Sequence, residues 1–402
     1  MNKKAFSLTL ALLLVISLLL VLTGCSSQNT ESKPAETAVT VTAEPTAEPT
    51  AEPTAEPAAE ATAEPAAESA AEPAPEPAAE PAPEPAAEAA AEQAAEPITI
   101  RALFQVGMTG AVNRFAIEKG LYEQEGIRFD IVEGTSTSVA NSLFSRGEID
   151  VSDGDPSTYI PGIYNGVPAK LVGNMWRYSG CYWLIANNEI RSIADLKGKV
   201  IGTAGTSGGM RLSVLKMLES EGLTEKDVEL VANNAYQTAY ATLVSGEVDA
   251  TIIHNPYAVI AEKEGVGHVL GRAWDYIPDY YTGCVVASDK FIQEKPEDLQ
   301  RFVTAYYKVH ELVKHEYFDE FIEWGSVFMN TDKDDLRKAV QNEIDVWLDY
   351  PVVPTDRVQN TLKILNEYGW LEDEISDLAG IIDNSFAEKA AQELGLKDPY
   401  AK

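Results

Sequence analysis

Two similar α/β lobes with a cleft between them are the fold this sequence predicts, on three observations. A short phrase is written twice: LFSRGEIDV at Leu143–Val151 returns as LVSGEVDA at Leu243–Ala250, and each copy runs into a turn with a proline, Pro156 or Pro256. In each copy an apolar helix end stops at a glycine, and an alternating apolar run then starts a strand. Strand and helix patterns alternate along much of the remaining chain, the signature of parallel sheets with crossover helices. Paired lobes of this kind hold ligands in the crevice outside the carboxyl ends of their strands.

Not all of the 402 residues can build that core. Lys3 and Lys4, the apolar run Leu8–Leu22 and the tetrapeptide LTGC at Leu22–Cys25 read as an export signal, residues 1–25. The tetrapeptide resembles the bacterial lipobox, which implies a lipidated Cys25 and a chain anchored to a membrane without crossing it. Residues 26–96 are built from AEPT and AEPA repeats, as in Thr42–Pro57. With almost no large apolar side chain, such a segment cannot offset its own ordering entropy, and its prolines favour an extended acidic tether.

Charge excludes some partners. Without the tether's fifteen net negative charges and the leader's two positive ones, the chain's −32 becomes −19 for residues 97–402. Neither nucleic acid nor an anionic lipid surface attracts such a domain.

The first lobe opens with a strand at Ile98–Val106, a helix over about Ala111–Lys119 and a strand at Ile127–Gly134. Thr135, Ser136, Thr137 and Ser138 then supply capping hydroxyls for a helix that ends near Arg146. A strand, a turn at Pro156 and a helix follow, then a strand at Ala169–Trp176, and CYWLIANN at Cys181–Asn188 leaves the lobe. The second lobe repeats the pattern. It has a strand at Lys199–Ala204 and a helix capped by Thr206 and Ser207, with Met210, Val214, Leu215 and Leu218 on its apolar face. A strand in DVELVAN, a helix at Tyr236–Ser245, the strand VDATIIH and a helix after Pro256 complete it, and Gly267–Ser288 returns the chain.

Beyond Pro296 the texture is helical, with Leu299, Phe302, Val303, Tyr306 and Val313 facing inward. Two more helices are expected near Asp332–Tyr350 and Thr355–Tyr368 and a last one around Asn384–Leu394, all packed on the first lobe. The boundaries expected are 97–186 with 285–402 for the first lobe and 187–284 for the second, joined by a two-strand hinge. Cys181 and Cys284 lie in those crossings, where either a disulfide or two buried thiols is consistent with the sequence.

These pieces together resemble a known family. IEKGLYEQEGI at Ile117–Ile127, the GEIDV step, IRSIADLKGKVIGT at Ile190–Thr203, GEVDA followed by HNPY, and FIQEKPEDLQRFV at Phe291–Val303 are similar to the solute-binding proteins of ABC importers. The branch resembled is the nitrate, sulfonate, taurine and thiamine-pyrimidine group. The resemblance implies the type II periplasmic-binding-protein fold, two Rossmann-like lobes with extra C-terminal helices on the first. It implies no enzyme activity and no cofactor. It also implies a monomeric lipoprotein on the outer face of the bacterial cytoplasmic membrane that delivers a small solute to separate permease and ATPase subunits. DLKGKVIG is not a P-loop, because Ile193 stands where the leading glycine is required. Two other readings remain open: a ligand-sensing surface domain, and an enzyme like the thiamine-pyrimidine synthase of yeast, whose cysteine-rich motif the chain lacks.

Candidate ligand residues follow from the loops. Thr135, Ser136 and Thr137 in the first lobe and Thr206, Ser207 and Gly208 in the second stand at helix N-termini, where free amides and the helix dipole favour an oxyanion. Trp176, Tyr178, Tyr182, Trp183, Tyr236, Tyr257, Tyr280 and Tyr281 crowd the same region, and strand alternation allows only one of Tyr182 and Trp183 to face a ligand. Asp155, with Ser157 beside it, either caps a helix or meets the ligand, and with Asp153 it repels an anion unless Arg177 or Arg211 neutralises it. Asn255 and His254 precede Pro256 at the cleft end of a strand. No Cys, His or carboxylate spacing matches a metal site.

Overall fold

The computed structural model describes residues 97–399 except 133, 135, 176–180 and 348–349. Cys25, the tether 26–96, Thr135, Trp176, Arg177 and Tyr178 therefore lie outside the described residues.

In the first sheet, strand β1 (Ile98–Leu103) pairs in parallel with β2 (Ile127–Ile131) and β3 (Val151–Gly154). Strand β4 (Ala169–Asn174) lies at the far edge, and β10 (Cys284–Ser288) runs antiparallel between β3 and β4. The order is β2-β1-β3-β10-β4. The second sheet repeats this plan. Strand β6 (Val200–Thr203) is parallel to β7 (Glu229–Ala232) and β8 (Ala250–Ile253), and β5 (Trp183–Asn187) is antiparallel between β8 and β9 (Gly267–Arg272). Its order is β7-β6-β8-β5-β9.

The duplicated phrase marks the same joint in both lobes. Helix α3 (Thr137–Arg146) stops at Gly147 (φ 68°) and α6 (Gln237–Ser245) at Gly246 (φ 75°), both left-handed, a conformation that glycine adopts without a Cβ clash. Three residues later an aspartate repeats as well. Asp150 accepts the Arg101 N–H at 3.0 Å and returns its own N–H to the Arg101 carbonyl at 2.8 Å; Asp249 does the same with Val200 at 3.0 and 2.8 Å. Each aspartate thereby pins the new strand to the parallel strand beside it, β1 or β6.

Helices α1 (Gly107–Glu118), α2 (Leu121–Gln124) and α4 (Pro156–Tyr164) accompany the first sheet. Helices α5 (Gly209–Ser220), α7 (Tyr257–Glu264) and α8 (Ala273–Tyr276) join α6 on the second. All four apolar positions expected on α5 are buried. The lobe boundary differs from the sequence reading: Trp183–Ala186, assigned to the first lobe, pair within the second sheet, and Cys284, assigned to the second, pairs within the first. Each strand enters its sheet as a complete element because its apolar side chains need cover on both faces. The chain leaves the first sheet after β4 and returns to it at β10, and near these two passages Met175 N–H donates to Gly283 O (3.0 Å) and Ala273 N–H to Tyr182 O (3.0 Å). Cys181 and Cys284 are buried thiols with no disulfide between them.

The C-terminal segment is α9 (Asp289–Glu294), α10 (Pro296–Lys314), α11 (Phe318–Phe328), α12 (Lys333–Gln341), α13 (Thr355–Glu367) and α14 (Ser385–Glu393). The inward residues expected on α10 join the first-lobe core. Parts of this segment also reach the second lobe. Beyond α12, Glu343 accepts Trp183 Nε1–H at 2.6 Å and Asn255 Nδ2–H at 2.9 Å, and on α12 Asp335 pairs with Lys263 at 2.7 Å. On α13, Ile364 packs with Leu212, Ile277 and Tyr280, and Tyr368 just beyond it bonds to Glu219.

Candidate functional site

Loops at the carboxyl ends of β1 and β3 in the first sheet and of β6 and β7 in the second supply residues that meet between the lobes. Asp155 directly follows β3 and caps α4 as its extended N-cap residue, accepting Ser157 N–H at 2.9 Å and Ser157 Oγ–H at 2.8 Å. Its Oδ2 also accepts the N–H of Gly209, the first residue of α5, across the cleft at 3.3 Å. Capping and cleft contact, set as alternatives by the sequence, coincide in one carboxylate. Thr137 ties this loop down, its Oγ1 accepting Asp155 N–H at 3.3 Å, and Ser136 caps α3 by accepting Val139 N–H at 3.4 Å.

A second bridge also joins the lobes. Tyr236 donates its hydroxyl to the Val106 carbonyl at 2.8 Å, and its ring stacks on His254 (centroids 5.1 Å apart, planes 16° apart). Tyr182 meets His254 edge-on at 5.2 Å. Trp183 points away, into Trp274 and Glu343, as strand alternation requires. A Cβ on Gly209 would stand 3.1 Å from both Tyr182 Oη and Tyr280 Cε1, so glycine lets the helix start against two tyrosine rings.

Tyr280 and Thr282, from the returning crossing, line a narrow slot together with Tyr182, Ser213, Ala273, Trp274 and Ile277; it holds ≈ 170 Å³ of empty space but nowhere admits a water molecule. Both hydroxyls lack a hydrogen-bond partner although the residues are only 2 % and 1 % exposed. Burial, and then the charge of Asp155, push the Tyr280 phenol well above its usual range, so it is present as the neutral hydroxyl. The nearby Ser157 side chain acts in the opposite direction, but its own Oγ–H is committed to Asp155. Sequence reasoning names Tyr280 only among the aromatics and misses Thr282 and Val106. No local pattern marks them, since their part is set by the path of the crossing.

Several expected residues stand elsewhere. Thr206 and Ser207 are exposed and do not cap α5; the N-cap is Gly208 at φ +93°, a backbone conformation that favours glycine, with no side-chain cap. Asn255 is fully buried and donates to Ala339 O (3.2 Å) and Glu343, so its amide serves the contact between lobes. Tyr257 stacks on Tyr240 at 5.6 Å within the second lobe, and Tyr281 belongs to the first-lobe core. Asp153 is buried under the site, where it accepts Gln105 N–H, Asn113 Nδ2–H and Tyr306 Oη–H. Arg211 is paired with Glu225 of its own lobe. Among the described residues no cluster of three or more His, Cys, Asp or Glu could hold a metal ion.

The model of the family described as NMT1/THI5 like matches residues 112–315. A protein of Brucella abortus named as a binding protein is 26% identical over 237 residues, 58% of this chain and 72% of the relative. A Bacillus subtilis protein named for binding aliphatic sulfonates is 24% identical over 289 residues, 69% of this chain and 84% of its own. The alkanesulfonate-binding protein SsuA of Xanthomonas axonopodis pv. citri, solved with MOPS, superposes with a TM-score of 0.61 at 17% identity, covering 71% of this chain and 99% of that one. The nitrate-binding protein NrtA of Synechocystis gives 0.62 at 15% identity over 74% and 89%. The desulfurization enzyme DSZB gives 0.55 at 18% over 73% and 99%. The fold is thus that of the SsuA and NrtA periplasmic binding proteins, two Rossmann-like lobes of type II, and an enzyme shares it.

Proposed function

Because the chain belongs to the NMT1/THI5-like family, we propose that it is the extracytoplasmic solute-binding component of an ABC importer, closing two lobes over a small organic solute. The observation that carries this reading is the meeting of four strand-end loops, two from each sheet, where the lobes are bridged by Asp155–Gly209 and Tyr236–Val106. Sulfonates, taurine-like or nitrate-like solutes and pyrimidine precursors of thiamine are the classes to screen. The names of the relatives, which include sulfonate and nitrate binders, support that choice.

A solute that touches both lobes stabilises the closed form by its differential affinity for it, and by no more than that. Permease and ATPase subunits take the loaded form and supply the energy. Cys25 anchors the chain by lipid to the outer membrane face, with the tether as spacer and Ser136, Thr137, Asp155, Ser157, Gly208 and Tyr236 near the solute. Among the described residues no helix is long and apolar enough to cross a membrane.

A thermal-shift screen tests the reading, since a ligand at a hundred times its dissociation constant adds about 2.7 kcal/mol to stability. At least one of these solutes is expected to raise Tm at micromolar to millimolar concentration. Silence from every class at millimolar concentration removes the transport role. Radiolabelled lipid that still enters Cys25→Ser removes the anchor.

A further inference from the structure

One contact between the lobes is made on a glycine, and it gives Gly107 a part in closing the cleft. Gly107 is the first residue of α1 in the first lobe, at φ +62°, and it lies against the ring of Tyr236 from the second lobe. A Cβ placed on it would stand 2.8 Å from Tyr236 Cδ1 and Cζ and nearer still to Cε1. Packed side chains do not approach one another so closely, so the ring reaches this place only because position 107 carries no side chain.

The ring is held where it is. Its hydroxyl donates at 2.8 Å to the carbonyl of Val106, the residue before Gly107, and its plane lies 16° from that of His254 with centroids 5.1 Å apart. His254 is itself tied by its N–H to Ala235 O at 3.3 Å and meets the Tyr182 ring edge-on at 5.2 Å. A side chain at 107 would therefore have two ways out: to displace the ring, which gives up the Val106 bond and disturbs the stack, or to part the lobes. Parting them costs the same bond, with water replacing the carbonyl, and leaves the stack within the second lobe intact.

A positive φ is a local demand, equal whether the lobes are together or apart, so by itself it cannot shift the balance between those forms. The ring contact exists only when they are together. We propose that Gly107 is a positioning residue for closure: the lobes rest together with Tyr236 seated on it, and a side chain at this position holds the cleft open. The functional sense of this seat rests on the solute-binding reading above, since a cleft that cannot shut loses the affinity that closure adds. The seat itself is tested without a solute.

Spin labels on Ser138→Cys in α3 and Thr238→Cys in α6, both exposed positions, report the distance between the lobes by pulsed electron paramagnetic resonance. The full chain carries Cys25→Ser for this purpose, and Cys181 and Cys284 are buried. The parent is expected to show a short-distance population. Gly107→Ala is expected to lower the ratio of short to long distances at least about fivefold. Gly107→Asn, whose side chain tolerates a positive φ, is expected to do the same, and it carries the test where the alanine variant fails to fold. In a Tyr236→Ala chain, which retains the Asp155–Gly209 bridge, adding Gly107→Ala is expected to change the ratio less than about twofold. Three results overturn the inference: a parent without short distances, Gly107 variants that lower Tm but keep the parent's ratio, or a methyl that acts equally with and without the Tyr236 ring. Distances that respond as expected beside a silent solute screen uphold the seat and remove the transport role alone.

Discussion

Glu343→Ala is expected to cost the folded protein about 3 kcal/mol. Glu343 is 1 % exposed, and its Oε1 accepts the Trp183 indole N–H at 2.6 Å and the Asn255 amide at 2.9 Å, joining the C-terminal segment of the first lobe to β5 and to the loop after β8. A buried donor left without its acceptor costs about 1–3 kcal/mol, and two donors share this one. Asn255 keeps a second acceptor in Ala339 O at 3.2 Å, so the indole is the donor that loses most. For a domain of this size about 3 kcal/mol corresponds to roughly 6 °C in Tm, taking the low end of the scale for larger domains. Glu343→Gln keeps an acceptor oxygen in place, which predicts a drop near about 1 kcal/mol, or about 2 °C. Calorimetry on the two variants distinguishes the cases, with Trp183 fluorescence as a local readout. An alanine variant within about 1 °C of the parent would falsify the claim that this carboxylate couples the lobes.

Other expectations follow from the same geometry. Asp195, Asp227 and Asp332 accept backbone N–H groups at helix starts, which hold their carboxyls below the usual range. A depressed folded pKa contributes stability that is present above about pH 4 and lost as pH falls through the folded value. Tm should therefore decline below about pH 4, and the triple Asn variant, which retains capping oxygens, should decline less steeply; parallel curves would show that the caps carry no linkage. Burial, then Asp155 and Asp153, push the Cys284 thiol well above its usual range, so in a Cys25→Ser background neither Cys284 nor Cys181 should react with a thiol reagent until the protein unfolds. Rapid labelling in native buffer contradicts that. Gly209→Ala sets a methyl 3.1 Å from Tyr182 and Tyr280, and a cleft solute should bind several-fold more weakly; unchanged affinity would mean that the rings retreat freely.

The periodic and punctuating residues are legible in the sequence. The twin GEID and GEVD steps locate the two strands that each aspartate pins, Pro296 starts α10 where its fixed φ suits a first turn, and the apolar faces of α5 and α10 match their burial. What escapes depends on contacts far apart in the chain or on starts without a signal. Helix α11 begins after Tyr317, which offers no side-chain cap, so no residue announces it. Thr206 and Ser207 match the capping pattern, yet Gly208 takes the position at φ +93°, which favours glycine over either. Trp183 and Glu343 are 160 residues apart, a pairing that spacing cannot reveal.

Several contacts between the lobes are polar, and that bears on how the cleft works. Asp155–Gly209 and Tyr236–Val106 exchange for water when the lobes part, so each contributes a net of only about 0.5–1.5 kcal/mol. The Lys263–Asp335 pair at the surface adds less than about 1 kcal/mol. The two bonds of Glu343 are stronger, and so is the apolar contact of Ile364 with Leu212, Ile277 and Tyr280. These last lie on the C-terminal segment, outside the ring of strand-end loops. The loops that face the solute are therefore held together weakly, whereas the C-terminal segment grips the second lobe firmly. A solute that touches both lobes adds only its differential affinity for the closed form to these loop contacts, so in such a cleft the solute decides how firmly the loops stay together and the C-terminal grip decides how far they can part.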